Sequence, residues 1–359
     1  MEKSKVVVLK TSPDTILEDY KKLIHMAELE KFISAGSETL IKLNLSWTKY
    51  FPACSSQPWQ VEGLVKTLIQ AGYPEDTLYA VENKTVVTNP LKGAKNNKWS
   101  PILKKYGLQF YPLTEVEWVK YDFKEPLLRL NQVFPKGIEI PKMYIGKNVI
   151  HLPTVKTHGH STTTGSIKNS FGGLLKEVRH YAHKYMHEVL VDLLIIQKEL
   201  HPGIFSVMDG TVCGDGAGPR TMEPKIKNLI LASGDSVAID SIAAKLMGFN
   251  PMEIPYIRMC HERGLGTGDP AEIEVMGEDI AEINFGFKTR KSFVIWGDQM
   301  IRKGFLRPFE KILLHSPLVF WAPFASNVYH DLFWYPTVGR KKIKQFSKTD
   351  WGKLWEGYE

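Results

Sequence analysis

A repeated alternation of short strands and helical stretches through residues 1–280 is the feature that most constrains the fold. A β-branched run at 6–9 is predicted to be the first strand, and apolar residues at helical spacing follow in 17–32. Further strands at 39–44 and 77–82 repeat the pattern and end in polar residues. Strands that alternate with helices in this way predict an α/β fold, with a mostly parallel sheet flanked by helices.

Later parts of the chain continue the alternation. Strands are predicted at 148–152, 205–208 and 229–232, and the second of these is followed by Asp209. The next segment, TVCGDGAGPR at 211–220, is predicted to be a loop, because its glycines permit backbone conformations that other residues avoid. Polar residues that follow parallel strands are typical of ligand sites in α/β proteins.

The chain is predicted to divide into an α/β core at 1–284 and a C-terminal helical extension at 285–359, rich in aromatic and basic residues. Several prolines and short strands mark 100–147 as a candidate inserted subdomain. The aromatic side chains of the extension either cap the core or form a patch at 305–335 that contacts a membrane or a protein partner.

The composition limits the classes of partner. A net charge of +7 favours acidic ligands or an anionic surface, but no long block of like charge is present, so nucleic acid is not expected. The N-terminus lacks an apolar stretch of signal-peptide length, and the apolar run near the C-terminus is too short to span a bilayer. Three separated cysteines predict neither a disulfide framework nor a zinc knuckle. We therefore expect a cytoplasmic protein without a transmembrane segment.

The densest group of titratable side chains lies in residues 151–187, which contain six of the eleven histidines. Lys156, His158 and His160 alternate, so an extended segment would point all three the same way. Three such groups side by side favour an anionic partner, because like charges repel unless an anion offsets them. The ordinary imidazole pKa suits His158 or His160 to proton transfer.

A second group of histidines lies on a predicted helix at 176–189. At about 100° per residue, His180, His183 and His187 fall on one polar face. Three interpretations stay open: a divalent or transition metal site, the wall of an anion site, or a solvated helix face. No carboxylate accompanies the three histidines on that face, which counts against the metal.

Other candidate side chains come from the ends of neighbouring strands and from a helix entry. An aspartate at the position of Asp209 can orient a histidine, bind a cation or accept a substrate hydroxyl. Lys168-Asn169 lies where backbone N–H groups favour a phosphate or carboxylate, although the segment is not a P-loop. We predict that the catalytic groups are His158, His160 and Asp209. The predicted substrate-binding residues are Lys42, Asn44, Lys156, Thr163, Lys168, Asn169, Asp215, Gly216 and Gly218.

Several motifs follow one another in a fixed order along residues 38–266. They are Lys42-Leu43-Asn44, Pro153 with Lys156 and His158, Thr164, Lys168-Asn169, Gly172, Asp209-Gly210, Gly216-Ala217-Gly218-Pro219, and Gly234-Asp235 with Ala238 and Asp240. As a group, these motifs resemble the family named domain of unknown function 362. The resemblance implies no particular activity, because none is established for that family as a whole. Many members carry a ferredoxin-like CxxCxxCxxxCP segment, which this sequence lacks, so an iron–sulfur cluster is not expected within the chain.

The leading functional hypothesis is a cytoplasmic enzyme that binds a small phosphate- or carboxylate-bearing substrate in a Lys/His/Asp pocket, with proton transfer or redox chemistry. The first alternative is a metal- or cofactor-dependent protein that uses the histidine helix. The second is a non-enzymatic binding or assembly protein at a membrane surface.

Overall fold

The computed structural model describes residues 3–85, 87–290, 293–302, 304, 308 and 321–358, without the side chains of 177–180, 293–295, 298, 302 and 321–323. The strands are β1 (Lys5–Lys10), β2 (Thr39–Lys42), β3 (Leu78–Glu82), β4 (Phe110–Pro112), β5 (Trp118–Lys120), β6 (Glu139–Pro141), β7 (Asn148–His151), β8 (Thr154–His158), β9 (Thr162–Thr163), β10 (Ile204–Ala217), β11 (Thr221–Ser233) and β12 (Glu274–Gly277). The first ten α-helices are α1 (Ile16–Met26), α2 (Pro58–Gln70), α3 (Pro90–Asn96), α4 (Trp99–Lys105), α5 (Leu130–Val133), α6 (Ser166–Leu174), α7 (Met186–Leu200), α8 (Ser236–Met247), α9 (Pro255–Glu262) and α10 (Phe293–Arg302). The last helices are α11 (Trp321–Asn327), a π-helix (Val328–Gly339), α12 (Arg340–Phe346) and α13 (Asp350–Gly357).

One large sheet forms the centre of the molecule. Its main path runs in the order β12-β1-β11-β10-β7-β2-β3-β4, and β8 and β9 branch from β10. Strand β11 is antiparallel to both neighbours, whereas the other neighbouring pairs on this path are parallel. The predicted α/β fold with a mostly parallel sheet is therefore confirmed.

The two faces of the sheet carry different helices, because successive strand side chains point to opposite sides. Ile41 and Ile150 pack with residues of α1 and α2 in one hydrophobic cluster. Leu40 and Val149, one position earlier on the same strands, pack with residues of α6 and α7 in another. Successive side chains of β10 therefore face alternately the layer of α1 and α2 and the layer of α6 and α7.

The prediction of a loop over 211–220 is wrong for residues 211–217. Strand β10 continues to Ala217 and pairs with β11 in a long hairpin, and residues 218–220 form its turn. A Cβ atom at Gly218 would lie 1.8 Å from the carbonyl oxygen of Thr157, and one at Gly214 would lie 2.5 Å from the Met222 sulfur. Glycine is needed here so that the hairpin can approach β8 closely.

The remaining segments join the same framework. Within 100–147, β4 extends the main sheet, while β5 and β6 form a separate two-stranded sheet. The C-terminal part that the structure describes is helical, as predicted, and Phe346 and Trp351 belong to the cluster around α1 and α2. Among the described residues, no helix combines the length and apolar character needed to cross a membrane.

Phe346→Ala is expected to lower the free energy of unfolding by about 3–5 kcal/mol, because it empties a buried site in the core cluster. Phe333→Ala, at an exposed position of the same C-terminal region, is the matched control and should change it by no more than about 0.5 kcal/mol. Urea unfolding followed by circular dichroism measures both. Equal effects would contradict the packing of this region onto the core.

Candidate functional site

A buried carboxylate fixes the start of α6, the helix that carries Lys168 and Asn169. The Asp240 oxygens accept hydrogen bonds from the backbone N–H groups of Ser166 and Ile167 at 2.6 and 3.2 Å. These groups lack partners within the helix, so the carboxylate acts as its N-terminal cap. A Cβ atom at position 165 would lie 2.0 Å from Asp240 Oδ1, which explains the glycine there.

At the end of β2, Lys42 lies in a buried ion pair. Its ammonium donates hydrogen bonds to Glu82 Oε1 at 2.9 Å and to the carbonyl oxygen of Leu43 at 2.5 Å. The side-chain amide of Asn169 donates to the Lys42 carbonyl oxygen at 2.9 Å. The structure thus brings Lys42 and Asn169 together, but the lysine charge is offset by Glu82.

Lys156 is also buried, and it lies beside Asn44, another of the residues predicted to bind substrate. Its ammonium donates to Asn44 Oδ1 at 2.7 Å, to Ser46 Oγ at 2.9 Å and to the carbonyl oxygen of Cys54 at 2.5 Å. These acceptors are all uncharged, and burial lowers the pKa of Lys156 to about 8. The site therefore contains a buried cation whose hydrogen-bond partners include no carboxylate among the described residues.

His158 lies two residues further along β8 and is surrounded by positive or protonatable groups. Burial, followed by the charge of Lys168 and then by His160 and His183, holds the pKa of His158 well below its usual value. Its Nδ1 accepts a hydrogen bond from the backbone N–H of His160 at 3.1 Å. His158 is therefore a neutral imidazole at physiological pH, in a region of positive potential.

Histidines from two segments meet in one cavity of about 320 Å³, lined by His160, His183, Lys184, His187, Glu188 and Gln299, among others. The rings of His160 and His183 are stacked with their centres 5.0 Å apart. The ring of Phe171 on α6 lies 5.8 Å from that of His183, and Lys168 Nζ lies 5.1 Å from the centre of the Phe171 ring. His160 from the first predicted group and His183 and His187 from the second thus line this space, which we call the histidine cavity.

The predicted α-helix at 176–189 is wrong for its first half. Residues Glu177–Tyr185 form a 3₁₀-helix, and the α-helix begins only at Met186. A 3₁₀-helix has three residues per turn, so the phase predicted for an α-helix does not apply. The side chain of His180 lies outside the described residues. In the part of the chain that the structure describes, no three histidine, cysteine or acidic side chains are grouped to hold a metal ion.

Asp209 lies on the other face of the sheet from the histidine cavity. Its carboxylate accepts hydrogen bonds from Tyr20 at 2.8 Å, from Trp59 at 2.9 Å, and from the hydroxyl and backbone N–H of Thr211. Tyr20 and Trp59 belong to α1 and α2, the layer that packs against alternate residues of β10 such as Val207. The structure does not bring Asp209 together with His158 or His160.

The other predicted binding residues hold the surrounding strands in place. Asp215 Oδ1 accepts from the backbone N–H of Lys288 at 2.9 Å, and the Gly216 carbonyl oxygen accepts from the Thr157 hydroxyl at 3.0 Å. The hydroxyl of Thr163 lies 3.1 Å from that of Tyr256. Together with the close approach of Gly218 to β8, these contacts position the strand that carries Lys156 and His158.

Sequence reasoning missed Ser46 and the Cys54 carbonyl oxygen beside Lys156, and Arg220 at the turn between β10 and β11. Ser46 and the backbone of Cys54 come from an irregular segment, and no sequence signal marks them. Arg220 follows Gly218 and Pro219 directly, and its place next to this motif is the feature of the sequence that could have indicated it. Its guanidinium donates to the Ser326 hydroxyl at 2.8 Å, and its Nη1 is buried without a hydrogen-bond partner among the described residues.

The fold and the cavity define an α/β protein with a basic, histidine-lined site beside β8. The chain belongs to the family described as "Domain of unknown function (DUF362)", whose model matches residues 39–245, more than half of the 359 residues. The resemblance predicted from the motifs is thereby confirmed. A relative is "Thylakoid-associated protein sll1697" of Synechocystis sp., which is 23% identical over 242 residues, covering 65% of this chain and 70% of that protein. No solved structure matches the chain significantly.

In the wild type, the free energy of unfolding is expected to rise between about pH 8, the pKa of Lys156 in the folded protein, and about pH 10.5, its unperturbed pKa. Lys156→Met is expected to remove this rise. In that window the unfolded chain binds more protons than the folded chain, so the free energy of unfolding increases with pH. The full shift corresponds to about 3 kcal/mol, at about 1.4 kcal/mol per pH unit.

Urea unfolding at a series of pH values measures this slope for the wild type and the variant. Lys104→Met, which replaces an exposed lysine, is the matched control and should keep the wild-type slope. An unchanged slope in Lys156→Met would show that this lysine is not the group that titrates.

Proposed function

We propose that the protein is a cytoplasmic enzyme that binds a small phosphate- or carboxylate-bearing substrate in the histidine cavity. The observation that supports this proposal is the stacking of His160 on His183 within one cavity that Lys184 also lines. Lys184 and Lys168 would attract the anion, and His160 or His183 would transfer a proton to or from the bound substrate.

The electrostatics of the site favour an anion over a cation. His158 is held neutral by burial and by the positive groups around it, and an anion nearby would reduce the repulsion that those groups experience. Glu188 is the one carboxylate among the residues found to line the cavity. Asp209 takes no part in the proposed chemistry, because both of its oxygens already accept hydrogen bonds within the core.

We also propose a second candidate function, which is association with a membrane surface. The relative from Synechocystis sp. is named for its association with thylakoids. In this chain, Phe324, Leu332 and Phe333 are exposed apolar side chains of the C-terminal helices. No described helix is suited to cross a bilayer, so the association would be peripheral.

Phosphate or a small carboxylate is expected to raise the melting temperature of the wild-type protein by a few degrees, because a ligand at about 100 times its Kd stabilises the folded state by about 2.7 kcal/mol. The double variant His160→Gln/His183→Gln should lose this response, since both side chains line the cavity. A thermal-shift assay at neutral pH measures the response against a panel of inorganic phosphate, phosphorylated metabolites and di- and tricarboxylates.

The exposed His25, on α1, provides the matched control: His25→Gln should respond like the wild type. If no anion in the panel stabilises the wild type, or if the double variant responds fully, the anion-binding proposal is rejected.

A further inference from the structure

The C-terminal helices are apolar on two opposite sides, and among the described residues contacts cover the inner side. On the inner side, the Trp334 ring lies 5.9 Å from that of Trp47, and Asp331 accepts a hydrogen bond from the Trp47 indole at 2.6 Å. Tyr335 donates to the Tyr50 carbonyl oxygen at 2.9 Å. These contacts fix how the helical segment is rotated against the body of the protein.

The outer side exposes a row of large apolar side chains. Phe324, Leu332 and Phe333 have 69%, 72% and 60% of their surface exposed, and Val328 has 38%. Phe324, Val328 and Leu332 are four residues apart, and Phe333 is five residues after Val328, which places them on one side of consecutive α- and π-helical turns. We call these four residues the apolar face. Contiguous exposed apolar side chains of this kind mark a surface that contacts something other than water.

A row of cations continues the apolar face along the same helical segment. Arg340, Lys341 and Lys344 lie on α12, which follows the π-helix directly, and all three are exposed. Thr337 lies four residues after Phe333 and four before Lys341, so the exposed row runs unbroken from apolar to basic.

The exposed row contains no acidic side chain. From 324 to 348, the exposed residues that the structure describes include Arg340, Lys341, Lys344 and Lys348 but no aspartate or glutamate. The one acidic residue in this stretch, Asp331, is directed inward to Trp47. Aromatic and aliphatic side chains followed by cations alone match a bilayer with anionic headgroups, in which apolar groups enter the boundary and cations meet phosphates.

We propose that the apolar face docks the protein on the surface of an anionic lipid bilayer. The four apolar side chains enter the boundary between headgroups and acyl chains, and Lys341 and Lys344 contact the lipid phosphates. This inference rests on the second candidate function and names the surface that would carry it. It does not depend on the anion-binding proposal for the histidine cavity.

Flotation of the full chain with vesicles tests this inference. The wild type is expected to float with phosphatidylcholine vesicles that contain phosphatidylglycerol, and more weakly with phosphatidylcholine alone. Phe324→Ser/Leu332→Ser/Phe333→Ser should reduce the bound fraction at least about tenfold, because it removes most of the insertable apolar area. Lys341→Glu/Lys344→Glu should reduce it by a similar factor, since each basic residue near an anionic surface contributes about 1 kcal/mol.

Matched controls use exposed residues elsewhere on the molecule. Leu91→Ser/Ile145→Ser and Lys104→Glu should float like the wild type, and all variants should retain the wild-type circular dichroism spectrum. Failure of the wild type to float with either vesicle would overturn both the second candidate function and the docking surface. Equal flotation of the wild type and the triple serine variant would overturn the docking surface alone.

Two further outcomes also reject the inference. Equal binding to vesicles with and without phosphatidylglycerol would remove the requirement for anionic lipid. If the wild type forms oligomers on size-exclusion chromatography, and the triple serine variant is monomeric while neither floats, the apolar face is a contact between copies of the chain.

Discussion

The carboxylate of Asp240 joins the start of α6 to the middle of α8, and the arrangement of the site depends on that contact. Helix α6 places Phe171 against the ring of His183 and carries Lys168 close to His158. Tyr256, on α9, reaches the same carboxylate at 3.4 Å and the hydroxyl of Thr163 at 3.1 Å. A buried network of this kind has few alternative arrangements, because each polar group left without a partner would cost free energy.

Carboxylates near the site are largely used to hold the fold together. Glu82 pairs with Lys42, and Asp209 binds side chains of α1 and α2. Asp240 caps α6. Besides burial, the groups that lower the pKa of His158 are Lys168, His160, His183 and Lys156, and no carboxylate of the described residues is among them. The positive potential of the site is thus a consequence of how the fold uses its acidic residues.

Much of the fold follows from the sequence, because alternating strands and helices leave few arrangements other than a parallel α/β sheet. The meeting of Asn44 and Lys156 follows in part, since Asn44 comes just after β2 and Lys156 lies on β8, which follows β7, the neighbour of β2. Three features depend on tertiary contacts that the sequence pattern does not encode. Residues 211–217 extend strand β10, with glycines where the hairpin lies close to β8, and Glu177–Tyr185 is a 3₁₀-helix. Asp209 points to α1 and α2 because it occupies the same side of β10 as Val207.

The burial of Lys156 has a consequence for how the chain balances stability against activity. Burying an ammonium group costs free energy, and the acceptors of Lys156 are all uncharged. The folded state is therefore less stable than it would be with a well-packed apolar side chain at this position. Selection for stability alone would favour methionine or leucine at such a position. Natural proteins are rarely at their stability optimum, and functional sites are places where stability is commonly lost. Because the pKa of Lys156 is about 8, roughly a tenth of the protein molecules carry this side chain as the free amine near pH 7. The position therefore costs the folded state most stability below about pH 8, where the buried side chain is charged.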